Sequence, residues 1–340
     1  TVNEDHVVAI TNGGGIRATV KAGDITKKDI NTVLPFGNTV AVIYVTGAEL
    51  LEALEASTYS LPVGGFPQVA GINFTLSTAV AYDANAETYP ASTYYGPKSI
   101  NRVVINSING KEFKADDTYA VVTNNFVAGG GDTYYAFAAA SAQFDTGIPL
   151  DEAVMEYVTT ELKGVIGAQY AAPQGRILMN PFKDVKVSSW FGKYVIDLYN
   201  DGIINGTSAT TYTPDAKLSW AAALKLLLVS HGDLKSEDAT GADWSKNTIA
   251  KAAELGLAAA DLDGAKDISR LEFCQVAAKL NKLAESKTES KFTDCTDGYV
   301  MALVDAKVIN GMTETTFEPA ASLTRAQIAK IIYQLNLIEK

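Results

Sequence analysis

The first 180 positions alternate between short apolar, β-branched runs and polar or glycine-rich breaks. The last 160 show apolar residues at helical spacing instead. In the first part the runs predict strands over 6–11, 40–45, 71–76, 102–105 and 119–123. A helix is predicted over 47–56, with Leu50, Leu51 and Leu54 on one face, and a second over 150–163. The Gly175-Arg176-Ile177-Leu178 run closes this α+β part, and Asn180-Pro181 marks a boundary. Beyond it the strand pattern stops. Helices of about 12–15 residues are expected, repeating with a period near 50. Trp190 and Gly202 recur as Trp244 and Gly256, an offset of 54, and Tyr194, Leu198, Gly206 and Pro214 recur as Tyr299, Leu303, Gly311 and Pro319, an offset of 105. The chain therefore divides into 1–179 and three all-α repeats at 181–235, 239–285 and 290–340.

Composition narrows the function classes. Of 340 residues, 47% are apolar and 20% charged, which is ordinary for a folded protein. The net charge is −11, and no basic run is present, so nucleic acid and anionic membrane surfaces are poor partners. No apolar stretch is long enough to span a bilayer, so no transmembrane segment is expected. Thr1 opens directly on a strand-like run with no secretory leader, which reads as the start of a mature or truncated product. Cys274 and Cys295 sit where small apolar core residues would serve. An oxidising exterior permits a disulfide between them, but nothing requires one. They are too few for a zinc site. His6 and His231, far apart in the chain, read as one surface and one semi-buried residue.

Three motifs in the first 135 residues carry the candidate chemistry. Asn12-Gly13-Gly14-Gly15-Ile16-Arg17 follows a strand. Its glycines permit positive φ and close ligand approach, its free N–H groups could line an anion-binding concavity, and Arg17 offers a planar cation. Leu34-Pro35-Phe36-Gly37-Asn38 presents Phe36 behind a rigid proline. Asn124-Asn125-Phe126-Val127-Ala128-Gly129-Gly130-Gly131-Asp132 presents Phe126 and ends on a carboxylate. Taken singly, each also fits a tight turn, a core aromatic or a turn-forming Asp.

In this order and spacing the motifs resemble the C-terminal, substrate-binding domain of the 5'-nucleotidase family. The resemblance implies that Phe36 and Phe126 clamp a nucleobase, that Asp132 receives the ribose hydroxyls, and that Asn12, Gly14 and Arg17 contact substrate. It also implies a catalytic pair of divalent metal ions held by a domain upstream of Thr1. With two isolated histidines and no Asp-x-His or Gly-Asn-His element, these residues are expected to hold no cofactor and to hydrolyse nothing alone.

Residues 181–340 resemble S-layer homology repeats. The signs are Phe182-Lys183-Asp184 and Phe292-Thr293-Asp294 at repeat openings, the glycine-bounded turn at 202–206, and Leu218-Ser219-Trp220, Ile268-Ser269-Arg270 and Leu323-Thr324-Arg325 at one equivalent position. Repeat two lacks the aromatic-x-Asp opening. Ser269-x-x-Glu272 and Thr324-x-x-Gln327 are capping boxes that put Arg270 and Arg325 in the first turn of a helix, against the helix dipole. Beside free helix N–H groups such an Arg suits a carboxylate. The resemblance implies that Arg270 and Arg325, with Asp184, Asp294, Trp190 and Trp244, bind secondary cell-wall polysaccharide on the outside of a bacterium bearing an S-layer-type surface. Trp220 replaces the Arg in repeat one, which leaves a dead groove or one that stacks on sugar. A wall-anchored nucleotidase-type hydrolase and a non-catalytic surface protein with a nucleotidase-like scaffold both fit, as does a half-enzyme that pairs with a separate catalytic chain.

Overall fold

The computed structural model describes residues 3–81 and 100–338 and divides into two compact units, Thr1–Asn180 and Pro181–Lys340. Each is described by itself. No helix among the described residues is long and apolar enough to cross a membrane.

The first unit is α+β. A five-stranded sheet has the order β3-β1-β6-β2-β7, with β1 (Val7–Asn12), β2 (Thr39–Thr46), β3 (Pro67–Ala70), β6 (Thr118–Asn124) and β7 (Ala142–Pro149). Only the β1–β6 pair is parallel. A three-stranded sheet sets β4 (Ile72–Ser77) between β5 (Val103–Ile108) and β8 (Ile177–Asn180), with β8 parallel to it. Helix α2 (Gly47–Ser57) starts in a Thr46–Glu49 capping box and buries Leu50 and Leu54 against Ile10, Ile43, Phe74 and Val121, with Leu51 half-buried beside them. Glu55 lies at the buried end of α2. Its carboxylate accepts the N–H groups of Ile100, Arg102 and Val103, tying the start of β5 to the helix.

The five predicted strands and two predicted helices are present, and the structure adds elements to them. Helix α1 (Lys27–Val33) begins in a Thr26–Asp29 capping box. Strand β7 is an edge strand whose residues are mostly exposed, so its sequence lacks an apolar period. The second predicted helix, α4 (Leu150–Thr160), ends three residues earlier than expected and buries none of its residues fully.

The second unit is all-α. Its described helices are α5 (Gly192–Asn200), α6 (Trp220–His231), α7 (Trp244–Glu254), α8 (Arg270–Leu280), α9 (Gly298–Asp305) and α10 (Arg325–Ile338), two to each repeat and several shorter than expected. The second helix of each repeat packs on the first helix of the next, α6 on α7 and α8 on α9, and α10 returns to α5 to close a ring. Around the ring axis the three segments before the long helices bridge one another, at Lys217–Thr324, Ser219–Asp267 and Ser269–Ser322. Cys274 and Cys295 are both buried and both free. Burial pushes the Cys274 thiol up to about 12.

Repeats one and three share a loop clamp. Asp184 accepts the N–H groups of Tyr212 and Thr213 at 2.8 and 2.7 Å, and Asp294 accepts those of Phe317 and Glu318 at 2.8 Å each. The clamped Thr213 and Glu318 adopt positive φ, 58° and 61°. The backbone N–H groups of Phe317 and Glu318 hold the Asp294 carboxyl below its ordinary pKa. A depressed folded value gives stability that is present above the unfolded pKa of about 3.9 and lost as pH falls through the folded one. Acid titration by circular dichroism should therefore show wild type losing helical signal below about pH 4. Asp294→Asn should be less stable at neutral pH and show a shallower acid dependence. An identical acid profile in the variant would rule out this clamp as a source of pH-linked stability.

Candidate functional site

In the first unit the three motifs converge at one end of the five-stranded sheet. Asn12 ends β1, Asn124 ends the neighbouring β6, and both are buried. Asn124 Nδ2 donates to Asn12 Oδ1 at 3.1 Å, and Asn12 Nδ2 donates to Asp132 Oδ2 at 2.6 Å. Asn124 also caps the short helix α3 (Asn125–Ala128) by accepting the Val127 N–H. A chain of two amides thus aims the Asp132 carboxylate, whose backbone has positive φ (53°). Phe126 is the second residue of α3 and is 44% exposed, while Phe36 is 61% exposed. Rings this exposed are not part of the core. Phe36 lines a small crevice with Thr11, Gly15, Asn38 and Asn124, and the Arg17 guanidinium carbon lies 5.8 Å from the Phe36 ring centroid. Thr11 and Asn124 also border an open, largely apolar cleft of about 920 Å³.

The glycine run behaves differently from expectation. Gly13, Gly14 and Gly15 form a 3-10 turn without positive φ. The Gly13 and Gly14 N–H groups donate to Phe66 O and Gly64 O at 2.8 and 2.7 Å, so they do not line an anion cradle. Glycine is needed there because of close backbone approach: a Cβ on Gly14 would stand 2.9 Å from Gly64 O. Arg17 Nη1 donates to Gly14 O at 3.2 Å, and Arg17 is exposed beside the Phe36 ring.

In the second unit the long side chains cross the seams between repeats. Arg325 Nε donates to Tyr212 O and Nη2 to Asn205 O, both at 2.8 Å, with its guanidinium 4.4 Å from the Tyr212 ring centroid. Arg270 Nη2 donates to Asn310 O at 2.7 Å and stacks 4.6 Å from the Phe317 centroid. The helix N–H groups beside these arginines are not free. Arg270 and Leu271 donate to Ala321 O and Pro319 O, and Arg325 and Ala326 to Ala216 O and Pro214 O. Glu272 does not pair with Arg270; it completes the Ser269 capping box. Both arginines are therefore seam braces, and Arg270 also lines a groove with Trp190. Asp184 and Asp294 hold the loops on which they stack. Trp190 is 58% exposed, and Trp244 is half-buried with Lys225 Nζ 5.4 Å from its ring centroid. Trp220 is only 8% exposed, so it offers no face to a sugar.

Sequence reading missed the backbone acceptors Asn205 and Asn310 and the platforms Tyr212 and Phe317. The repeat offset of 105 links both pairs and could have found them. Among the described residues, no group of three or more His, Cys, Asp or Glu side chains is arranged to hold a metal ion. His6 meets Thr118 O and Asp117, and His231 meets Asp233. These residues do not fit a dinuclear metal centre.

Comparison with known proteins finds a different family match in each unit. Residues 2–139 match the family described as 5'-nucleotidase, C-terminal domain, and residues 181–223 and 294–329 match the S-layer homology domain. The trifunctional nucleotide phosphoesterase protein YfkN of Bacillus subtilis is 43% identical over 144 residues, covering 41% of this chain and 9% of that protein. The 5'-nucleotidase of Vibrio cholerae is 31% identical over 171 residues, covering 50% of this chain and 27% of that protein. The cell wall protein Lmo0130 of Listeria monocytogenes is 32% identical over 139 residues, covering 39% and 16% respectively. The chain thus spans between about a tenth and a quarter of the length of these relatives.

Proposed function

Because the chain joins a 5'-nucleotidase C-terminal domain to S-layer homology repeats, we propose that it binds nucleosides or nucleotides with its first unit and bacterial wall polysaccharide with its second. On this reading it is the substrate-holding, anchored part of a cell-surface nucleotidase-type phosphohydrolase, whose metal-dependent step is carried by residues other than these. The observation that carries the reading is the site at the end of β1 and β6. Exposed Phe36 with Arg17 beside it, and exposed Phe126, lie at the same sheet end as an Asp132 carboxylate bonded by Asn12, which Asn124 in turn holds.

The chemistry follows from that geometry. A base slides against Phe36 and Phe126, and stacking tolerates purine or pyrimidine because every base has a π-face. Asp132 accepts two ribose hydroxyls, with its remaining freedom removed by the Asn12 bond. Arg17 faces the phosphate side as a permanently charged fork. Ligand-observed NMR of the full chain with adenosine and AMP tests this. Phe36→Ala and Phe126→Ala should each weaken adenosine binding by about 1–3 kcal/mol, about five- to 150-fold. Saturation transfer to the base protons that is equal in wild type and in both variants would sink the clamp.

A further inference from the structure

Stacking fixes the faces of a base but leaves its edge unread, and the surroundings of Phe36 hold groups that could read it. The end of α1, the start of β2 and the first turn of α4 meet there. The Leu150 N–H donates to Asn38 O at 2.9 Å, which ties α4 to the residues that follow Phe36. Helix α1 packs on α4. In the amide orientation its neighbours require, Asn31 donates to Lys27 O at 2.9 Å and to Asp151 Oδ2 at 3.1 Å. Asp151 is half-buried and lines the same crevice as Phe36, Leu34 and Asn38. Its other carboxylate oxygen has no hydrogen-bond partner among the described residues. The crevice measures about 10 Å³, room for one water-sized group and not for a ring. The dipole of α4 alone does not call for Asp151, because the exposed Glu152 lies in the same first turn.

We propose that Asp151 is a specificity residue that reads the edge of the stacked base, selecting nucleosides with an exocyclic amino group, adenosine and cytidine, over their keto counterparts, inosine and uridine. This rests on the nucleoside-binding reading above. An ionised carboxylate only accepts hydrogen bonds. An exocyclic amine is a water-sized donor, and the adenine and cytosine amines occupy the same corner of the Watson–Crick edge. With the ring on Phe36, that amine enters the crevice and donates to the carboxylate oxygen that Asn31 leaves open. A keto oxygen at the same corner brings lone pairs against the carboxylate and leaves it unpaired, so the keto base is rejected by the group that welcomes the amine. Stacking does not make this distinction, because adenosine and inosine present the same ring faces to Phe36 and Phe126.

The test is NMR titration of the full chain with adenosine, inosine, cytidine and uridine. Wild type should bind adenosine about tenfold more tightly than inosine, and cytidine more tightly than uridine by a similar factor. Asp151→Asn keeps the shape and supplies an amide that can donate to a keto oxygen. It should weaken adenosine, strengthen inosine and bring their ratio to about one. Glu152→Gln removes the neighbouring charge from the same helix turn and should keep the wild-type ratio. Both variants should melt with wild type, since neither side chain is fully buried. Equal affinities of wild type for adenosine and inosine would overturn edge reading while leaving the Phe clamp intact. A tenfold ratio that survives in Asp151→Asn would overturn the assignment to Asp151. Failure of wild type to bind any of the four nucleosides would overturn the nucleoside reading itself.

Discussion

Arg325→Ala is expected to lower the thermal midpoint of the all-α unit by about 6–12 °C, the larger of the stability effects anticipated here. Arg325 reaches from the last repeat to the first, donating to Asn205 O and Tyr212 O and covering the Tyr212 ring. A hydrogen bond from a charged donor contributes about 1.5–3 kcal/mol, and a desolvated cation–π contact about 1–2. Hydration of the abandoned carbonyls offsets part of this, leaving about 3 kcal/mol. The loss should be cooperative, because α10 also closes the ring on α5 and its N-terminal N–H groups bond to Ala216 and Pro214 of repeat one. Arg325→Lys keeps the charge but not the two-point fork, so it should recover less than half of the loss. Differential scanning calorimetry of the full chain decides the matter. An unchanged midpoint in Arg325→Ala would show that the brace is dispensable, and would return Arg325 to a purely ligand-facing role.

This brace shows where sequence reading succeeds and where it stops. The 3.6-residue period, the Ser269 and Thr324 boxes and the repeat offset placed the long helices and put Arg270 and Arg325 in their first turns. Those are local signals. The partners of Arg325 lie 113 and 120 residues away, and no local pattern states which carbonyls a guanidinium will meet. The same limit explains the reversal at Gly13–Gly15. A glycine run marks a backbone that must come close to something, but ligand and protein backbone look alike in sequence, and here the neighbour is Gly64 O and Phe66 O. Edge strand β7 escaped because both its faces are largely exposed, which removes the alternation that announces a half-buried strand. The convergence of Asn12, Phe36, Phe126 and Asp132 was legible only through family resemblance, since the parallel β1–β6 pairing that joins the first and third motifs spans more than a hundred residues.

Gly131→Ala should lower nucleoside affinity although the added methyl need touch no ligand atom. A Cβ at this position would lie 2.6 Å from Phe126 Cε2 and Cζ, and 2.6 Å from Phe126 O. The exposed ring can swing aside, but the carbonyl belongs to α3 and accepts the Gly131 N–H, so backbone must shift as well. Overpacking of this kind costs about 1–3 kcal/mol. The displaced parts are the Phe126 ring, proposed above to stack on the base, and Asp132, the next residue in the chain. Losing one stacking contact while misaiming the carboxylate should weaken adenosine binding by about tenfold or more. Gly129→Ala is the control two residues earlier. Its added Cβ would meet Asn125 O at 3.4 Å and Phe126 O at 3.7 Å, ordinary contact distances that leave the ring in place. NMR titration of the two variants with adenosine should separate them clearly. Equal affinities in Gly131→Ala and Gly129→Ala would mean that the orientation of Phe126 does not govern binding, and that the clamp rests on Phe36 and Arg17 alone.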